Sequence, residues 1–214
     1  MPRYPIRLLI SLSALACLFS CNTYRNLQKI QAPDNCVQKF KPLFEKVMYK
    51  TSADVKGNHI SGVLIIKAME DSSTRIVFTN EMGFPYFDFG FLTNNGFKVY
   101  QITPKLNNKY VIRTLKKDFE LILFRNRDSI RYFALTDGPR IYYAYPQASG
   151  INYYITDSCC RQLLIMQRAS DKKPVVEARF VGNISENAPD SIIIRHLNFN
   201  FTISLKKISG FAAQ

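Results

Sequence analysis

Residues 78–91 read FTNEMGFPYFDFGF, six aromatic side chains in fourteen positions with only Glu81 and Asp88 charged. Side chains alternate along an extended chain, so Phe84, Tyr86 and Asp88 fall on one face and Phe87, Phe89 and Phe91 on the other. A sheet with one solvated face needs apolar residues on the other face only. This strand is therefore expected to meet something apolar on both sides: a covering helix, a lipid or a partner.

Strand patterns surround it. ISGVLIIKA (60–68), STRIVFTN (73–80) and FKVYQIT (97–103) complete the first half, with Asn94-Asn95-Gly96 as a tight hairpin signal. Next, NNKYVIRTLKKDFELILF places Ile112, Leu115, Phe119 and Ile122 on one helical stripe, capped near Asn107 or Asn108. Leu43, Phe44, Val47 and Met48 also recur at helical spacing behind Pro42, which predicts a short amphipathic helix over 43–50. Beyond 129 the strands resume as SIRYFALT, RIYYAYP, INYYITD, QLLIMQR and VVEARFVG. The segment SIIIRHLNFNFTISLKKI (191–208) reads as one long strand with Ile192, Ile194, His196, Asn198, Asn200, Thr202 and Ser204 on a wet face and Ile193, Leu197, Phe199, Phe201, Ile203 and Leu205 on the other. Many strands, two or three helices and no regular βαβ alternation predict a mainly β (α+β) fold, a large antiparallel sheet with the helices on one face.

The N-terminus points to a compartment. MPRYPIR is short and basic, ISLSALACLF is apolar, and Leu18-Phe19-Ser20-Cys21 ends the run, the layout of a secretory signal rather than a span. A Leu three residues before a Cys, with a small Ser just before it, resembles the lipobox of bacterial lipoproteins, in which the Cys is acylated. Ala14-Leu15-Ala16-Cys17 is a second placement that leaves a very short apolar core; a plain signal followed by an incidental Cys is a third. The expected organisation is a signal peptide (1–20), a tether (21–35), one domain (36–208) and a C-terminal tail (209–214). With Asn22 rather than an acid after Cys21, and no acidic run, the expected location is the periplasmic face of the outer membrane.

The chain carries a formal charge of +13, which becomes +11 without Arg3 and Arg7 of the leader. Outside the cytoplasm nucleic acid is not an expected partner. The charge instead suits anionic headgroups, at about 1 kcal/mol per residue near such a surface, or merely a solvated basic face.

No enzyme, cofactor or metal is expected. His59 and His196 sit in different strands without metal spacing, and no glycine-rich loop or nucleophile elbow is present. Glu81 and Asp88, around Gly83 and Pro85, read as turn and strand-face residues. Among the cysteines, adjacent Cys159 and Cys160 rarely bond each other, so the expected bridge runs from Cys36 to one of them, leaving a free thiol. Asp128-Ser129-Ile130 and Asp190-Ser191-Ile192 resemble an O-glycosylation motif of periplasmic proteins.

The lipobox, a polar tether, an amphipathic helix, then Gly62-Val63-Leu64-Ile65-Ile66-Lys67 and a long meander with a mid-chain helix resemble the LolA/LolB-type lipoprotein carriers and receptors. That resemblance implies an antiparallel half-barrel whose concave apolar face holds acyl chains beneath helical lids. It also implies, for the receptor type, a protruding loop with an exposed apolar residue, for which Leu92–Gly96 is a candidate that reads equally well as a plain hairpin. The ligand-lining candidates are Phe84, Tyr86, Phe87, Phe89, Tyr142, Tyr145, Tyr153 and Tyr154, the tyrosines offering hydroxyls to a headgroup. Two functions follow: a binder of acyl chains or lipoproteins anchored in membrane lipid through Cys21, or an accessory lipoprotein docking an envelope protein partner. A binder needs roughly 300 to 1,000 Å³ of apolar space, whereas a docking module has a filled core.

Overall fold

Along residues 46–51 the side chains of Val47, Tyr49 and Thr51 are buried, while Lys46 and Lys50 are exposed and Met48 lies between. That is the period of a strand. The computed structural model accordingly has β-structure where a helix over 43–50 was expected. The apolar pairs 43/44 and 47/48 fit a helical stripe in sequence, but only Phe44 and Val47 are buried, and Leu43 is 59 % exposed. Residues 22–31, 35–55, 57–125, 132–170, 172–182 and 188–208 are described. The leader, Cys21, Asp128-Ser129-Ile130 and the tail 209–214 lie outside them.

Thirteen strands form one open antiparallel sheet: β1 (Gln28–Ile30), β2 (Lys46–Val55), β3 (Asn58–Ala68), β4 (Thr74–Thr79), β5 (Pro85–Phe91), β6 (Phe97–Ile102), β7 (Phe133–Thr136), β8 (Arg140–Pro146), β9 (Ile151–Asp157), β10 (Leu163–Ala169), β11 (Pro174–Val181), β12 (Ser191–His196) and β13 (Phe201–Lys207). The spatial order is β1-β7-β8-β9-β10-β11-β12-β13-β2-β3-β4-β5-β6. The large curved sheet is thus as expected, but the helix count is not. Among the described residues there is a single α-helix, α1 (Lys109–Ile122), beside one 3-10 turn at Val37–Phe40.

Two further readings are corrected. The segment 191–208 is a hairpin: Ile194 pairs with Ile203 and Ile192 with Leu205. Its turn, Leu197–Asn200, changes the parity, so Ile192, Ile194 and His196 share the buried face with Phe201, Ile203 and Leu205. The supposed tether also contributes structure. β1 pairs with β7, and Thr23 donates its backbone N–H to the Lys172 carbonyl at 2.8 Å.

The core has two layers. Helix α1 starts at Asn108, whose side chain accepts the Tyr110 N–H, and buries Leu115, Asp118, Phe119, Leu121 and Ile122. These residues cover the inner face of the sheet, where Tyr49, Leu64, Ile66, Ile76, Phe89 and Ile194 are fully buried. On the outer face of β8–β10, a smaller cluster of Tyr142, Ala144, Tyr153, Ile155 and Ile165 is covered by Tyr24 and Leu27. A disulfide joins Cys36 to Cys160 with a Cα separation of 5.9 Å, and Cys159 is free and exposed. It ties the 3-10 turn to the β9–β10 connection.

Candidate functional site

The aromatic strand β5 is one-sided after all, and a β-bulge makes it so. Phe78 pairs with Phe87 but Thr79 pairs with Pro85, which leaves Tyr86 as the extra residue. Its ring rotates inward to within 5.0 Å of Phe78. Phe87, Phe89 and Phe91 also face inward; Phe87 stacks on Phe89 at 4.4 Å, and Phe119 of α1 lies 6.0 Å from Phe87 and 6.3 Å from Phe91. On the outer face Asp88 holds Arg75 through two contacts of 2.6 Å, and the guanidinium lies 3.7 Å over the Tyr100 ring. A Cβ on Gly90 would come within 2.6 Å of that ring, so glycine makes room for it. The outer face thus carries a polar, cation–π cluster, and nothing apolar is required there.

The eight lining candidates do not converge on one surface. Tyr86, Phe87, Phe89, Tyr145 and Tyr154 lie in the layer beneath α1, and the Tyr154 hydroxyl donates to the Leu121 carbonyl at 3.0 Å. Tyr142 and Tyr153 belong to the outer cluster instead, where Tyr24 stacks on Tyr153 at 4.4 Å and donates to Gln167 at 2.9 Å. Phe84 lies in the β4–β5 turn at 65 % exposure. Burial, together with a hydrogen bond to Asp137, pushes the Tyr142 hydroxyl up to about 12, and burial beside Tyr132 and Tyr143 does the same for Tyr145. Both remain protonated donors at neutral pH.

Beneath α1 lies a polar cluster that sequence reading did not assemble. Asp118 is fully buried and accepts from Arg168 of β10 at 3.0 Å, and its second oxygen meets His196 Nε2 at 2.9 Å. His196 is a core histidine stacked 4.7 Å from Phe201, whereas His59 is exposed against Asp54 at 2.7 Å. A signal existed in the sequence: Asp118 sits on the apolar stripe of Leu115 and Ile122, where a carboxylate requires a partner. Beside it Lys117 has its ammonium pushed down, first by burial and then by Arg168 and Arg113. Nearby on the same face, the Tyr143 hydroxyl and the Asn152 side-chain oxygen are buried without hydrogen-bond partners. The site is therefore an aromatic floor under an amphipathic helix, with one charged contact fixing the helix and two unpaired polar atoms.

Leu92–Gly96 is a plain hairpin turn rather than an exposed apolar loop. Leu92 is half-buried, and its N–H closes the β5–β6 hairpin on Gly96. In the β4–β5 turn, by contrast, Met82 is 81 % exposed. Asn80 braces that turn by accepting the N–H groups of Met82 and Phe84 at 3.0 and 2.9 Å, with Gly83 at φ +85°.

No protein-family model matches the chain, and no curated protein matches its sequence. Among solved structures, a DUF1329 family protein from Desulfovibrio piger is similar with a TM-score of 0.45 at 8 % identity, over 82 % of this chain and 89 % of that one. A domain from Vibrio parahaemolyticus named for outer membrane lipoprotein sorting has a TM-score of 0.46 at 9 % identity, over 84 % and 93 % of the two chains. Among the described residues no helix is long and apolar enough to cross a membrane.

Proposed function

We propose that the protein is a periplasm-facing outer-membrane lipoprotein, anchored through acylated Cys21, that binds the acyl chains of lipids or lipoproteins between its sheet and α1. The observation that carries this reading is the aromatic floor of Phe87, Phe89, Tyr86 and Tyr154 beneath one amphipathic helix. In this arrangement Phe119 and its neighbours fill the floor, so the apolar space a binder needs opens only when an entering acyl chain displaces the helix; a helix that stays seated leaves the filled core of a docking module. Apolar contacts of α1 exchange for contacts with hydrocarbon at little net cost, since both sides of the exchange are apolar. The charged contact through Asp118 then sets how readily the helix leaves. The Tyr143 hydroxyl, unpaired in the closed arrangement, is the donor available to a carboxyl or ester oxygen, while the unpaired Asn152 oxygen can only accept, from a hydroxyl or amide N–H of the ligand.

The supporting experiment is mass spectrometry of lipids that co-purify with the protein. Acyl-bearing lipids retained by the wild-type chain and lost from Phe87→Asp, which places a charge in the floor at a cost of several kcal/mol, support acyl binding. A lipid-free wild-type protein supports the docking module instead.

A further inference from the structure

The antiparallel order brings alternate connections to the same end of the sheet. β2 ends and β13 begins at one end, because Val55 pairs with Phe201. Following the registers, that end collects the β4–β5 turn (80–84), the β10–β11 turn (170–173), the β12–β13 turn (197–200) and the exit of β6 into α1. Nine large apolar side chains stand out as exposed among the described residues, and five of them are here: Met82, Phe84, Tyr110, Leu197 and Phe199. The opposite end carries Leu43 and Val181, although it is basic as well, with Lys46, Lys67 and Lys206 exposed. Exposed lysines are interleaved with the five, at Lys172 and Lys173 in one turn and at Lys109 beside Tyr110.

The first described residues are at this end too. Thr23 is bonded to Lys172 in the β10–β11 turn, and only Asn22 lies between Thr23 and Cys21, a span of about 7 Å at most.

We infer that this end of the sheet is a membrane-docking rim for an anionic bilayer, with Leu197, Phe199, Met82 and Phe84 entering the headgroup region and Lys172, Lys173 and Lys109 meeting lipid phosphates. Apolar side chains interleaved with lysines are the composition that binds interfaces, through buried apolar area plus attraction to anionic lipid. The lipobox reading contributes only the orientation, and capture of acyl chains beneath α1 is a separate matter. Docked this way, the open ends of the strands face the bilayer while α1 stays on the inner face.

The described fold, its core and its disulfide lie within 22–208, so a chain beginning at Asn22 tests the rim without any acyl anchor. Its flotation is measured with vesicles of phosphatidylglycerol and phosphatidylethanolamine, and with vesicles of phosphatidylcholine alone. Expected is binding to the anionic vesicles that weakens with salt, falls about tenfold in Leu197→Ser/Phe199→Ser, and falls roughly fivefold for each of Lys172→Ala and Lys173→Ala. Leu43→Ser, at an apolar residue of the other end that is more exposed than Leu197 or Phe199, is expected to bind as wild type. The inference is overturned by absence of flotation with anionic vesicles, by equal binding to phosphatidylcholine, or by Leu43→Ser losing as much as the rim variants. Far-UV circular dichroism confirms that each variant is folded.

Discussion

Asp118 and His196, 78 positions apart in sequence, meet at 2.9 Å with the carboxylate fully buried, and Arg168 completes the contact at 3.0 Å. The cluster is the polar attachment of the mid-chain helix to the sheet. Removing one member of a buried ion pair costs about 3–5 kcal/mol, because the other charge is left unpaired, whereas replacing both by apolar residues is often neutral. Asp118→Ala should therefore lower unfolding stability strongly, and Asp118→Leu/Arg168→Met should recover most of the loss. Urea unfolding of the single and double variants measures both.

Lys117 gives a pH dependence with a defined sign. Its ammonium is pushed below the ordinary lysine range by burial, Arg168 and Arg113, so the unfolded chain holds the proton more tightly than the folded one. Stability from this group therefore rises with pH through the window between the depressed folded value and the ordinary one. Lys117→Met should be more stable than wild type at pH 7, and the difference should shrink as pH rises through that window and be gone above pH ~10.4. Denaturation curves of the two proteins at both pH values test it.

The thiols should divide two to one. With Cys36 bonded to Cys160 and Cys159 exposed, alkylation of the folded, oxidised protein should label Cys159, while Cys36 and Cys160 react only after reduction. Cys36→Ala/Cys160→Ala should cost about 2–5 kcal/mol, the usual range for a native bridge. Labelling of all three thiols in the oxidised protein contradicts the pairing.

The proposed acylation of Cys21 predicts that Cys21→Ser loses a salt-resistant anchorage that only detergent releases. The rim alone is a weaker, salt-sensitive attachment, so high-salt washing of membranes should release the Cys21→Ser protein and retain the wild type. Salt-resistant association of the variant contradicts lipid anchoring.

Much of the fold was legible in the sequence wherever a pattern had only one reading. The stripe of Ile112, Leu115, Phe119 and Ile122, with Asn108 before it, defines α1, and Asn94-Asn95-Gly96 defines the β5–β6 hairpin, where Asn95 takes φ +60°. Patterns with two readings misled. Leu43, Phe44, Val47 and Met48 suit a helix or an alternating strand, and pairing of β2 along both of its edges decided for the strand. Leu197–Asn200 turns without glycine or proline, so nothing local interrupts the apparent 18-residue strand. In RIYYAYP and INYYITD tyrosines occupy adjacent positions, and alternation alone cannot say which tyrosine faces α1. That was settled by Tyr24, from a segment read as a tether, which covers Tyr153 on the outer face. The site was legible as a set of aromatics but not as a surface, because a bulge at Tyr86 and a salt bridge at Asp88 are properties of pairing rather than composition.

The most direct measurement is photo-crosslinking in cells with a benzophenone amino acid at Tyr86 or Tyr145, on the inner face, and at Tyr153, on the outer face. Acyl capture beneath α1 predicts lipid adducts, identified by mass spectrometry, from positions 86 and 145 and none from 153. Adducts missing at both inner positions, or formed equally at 153, contradict it.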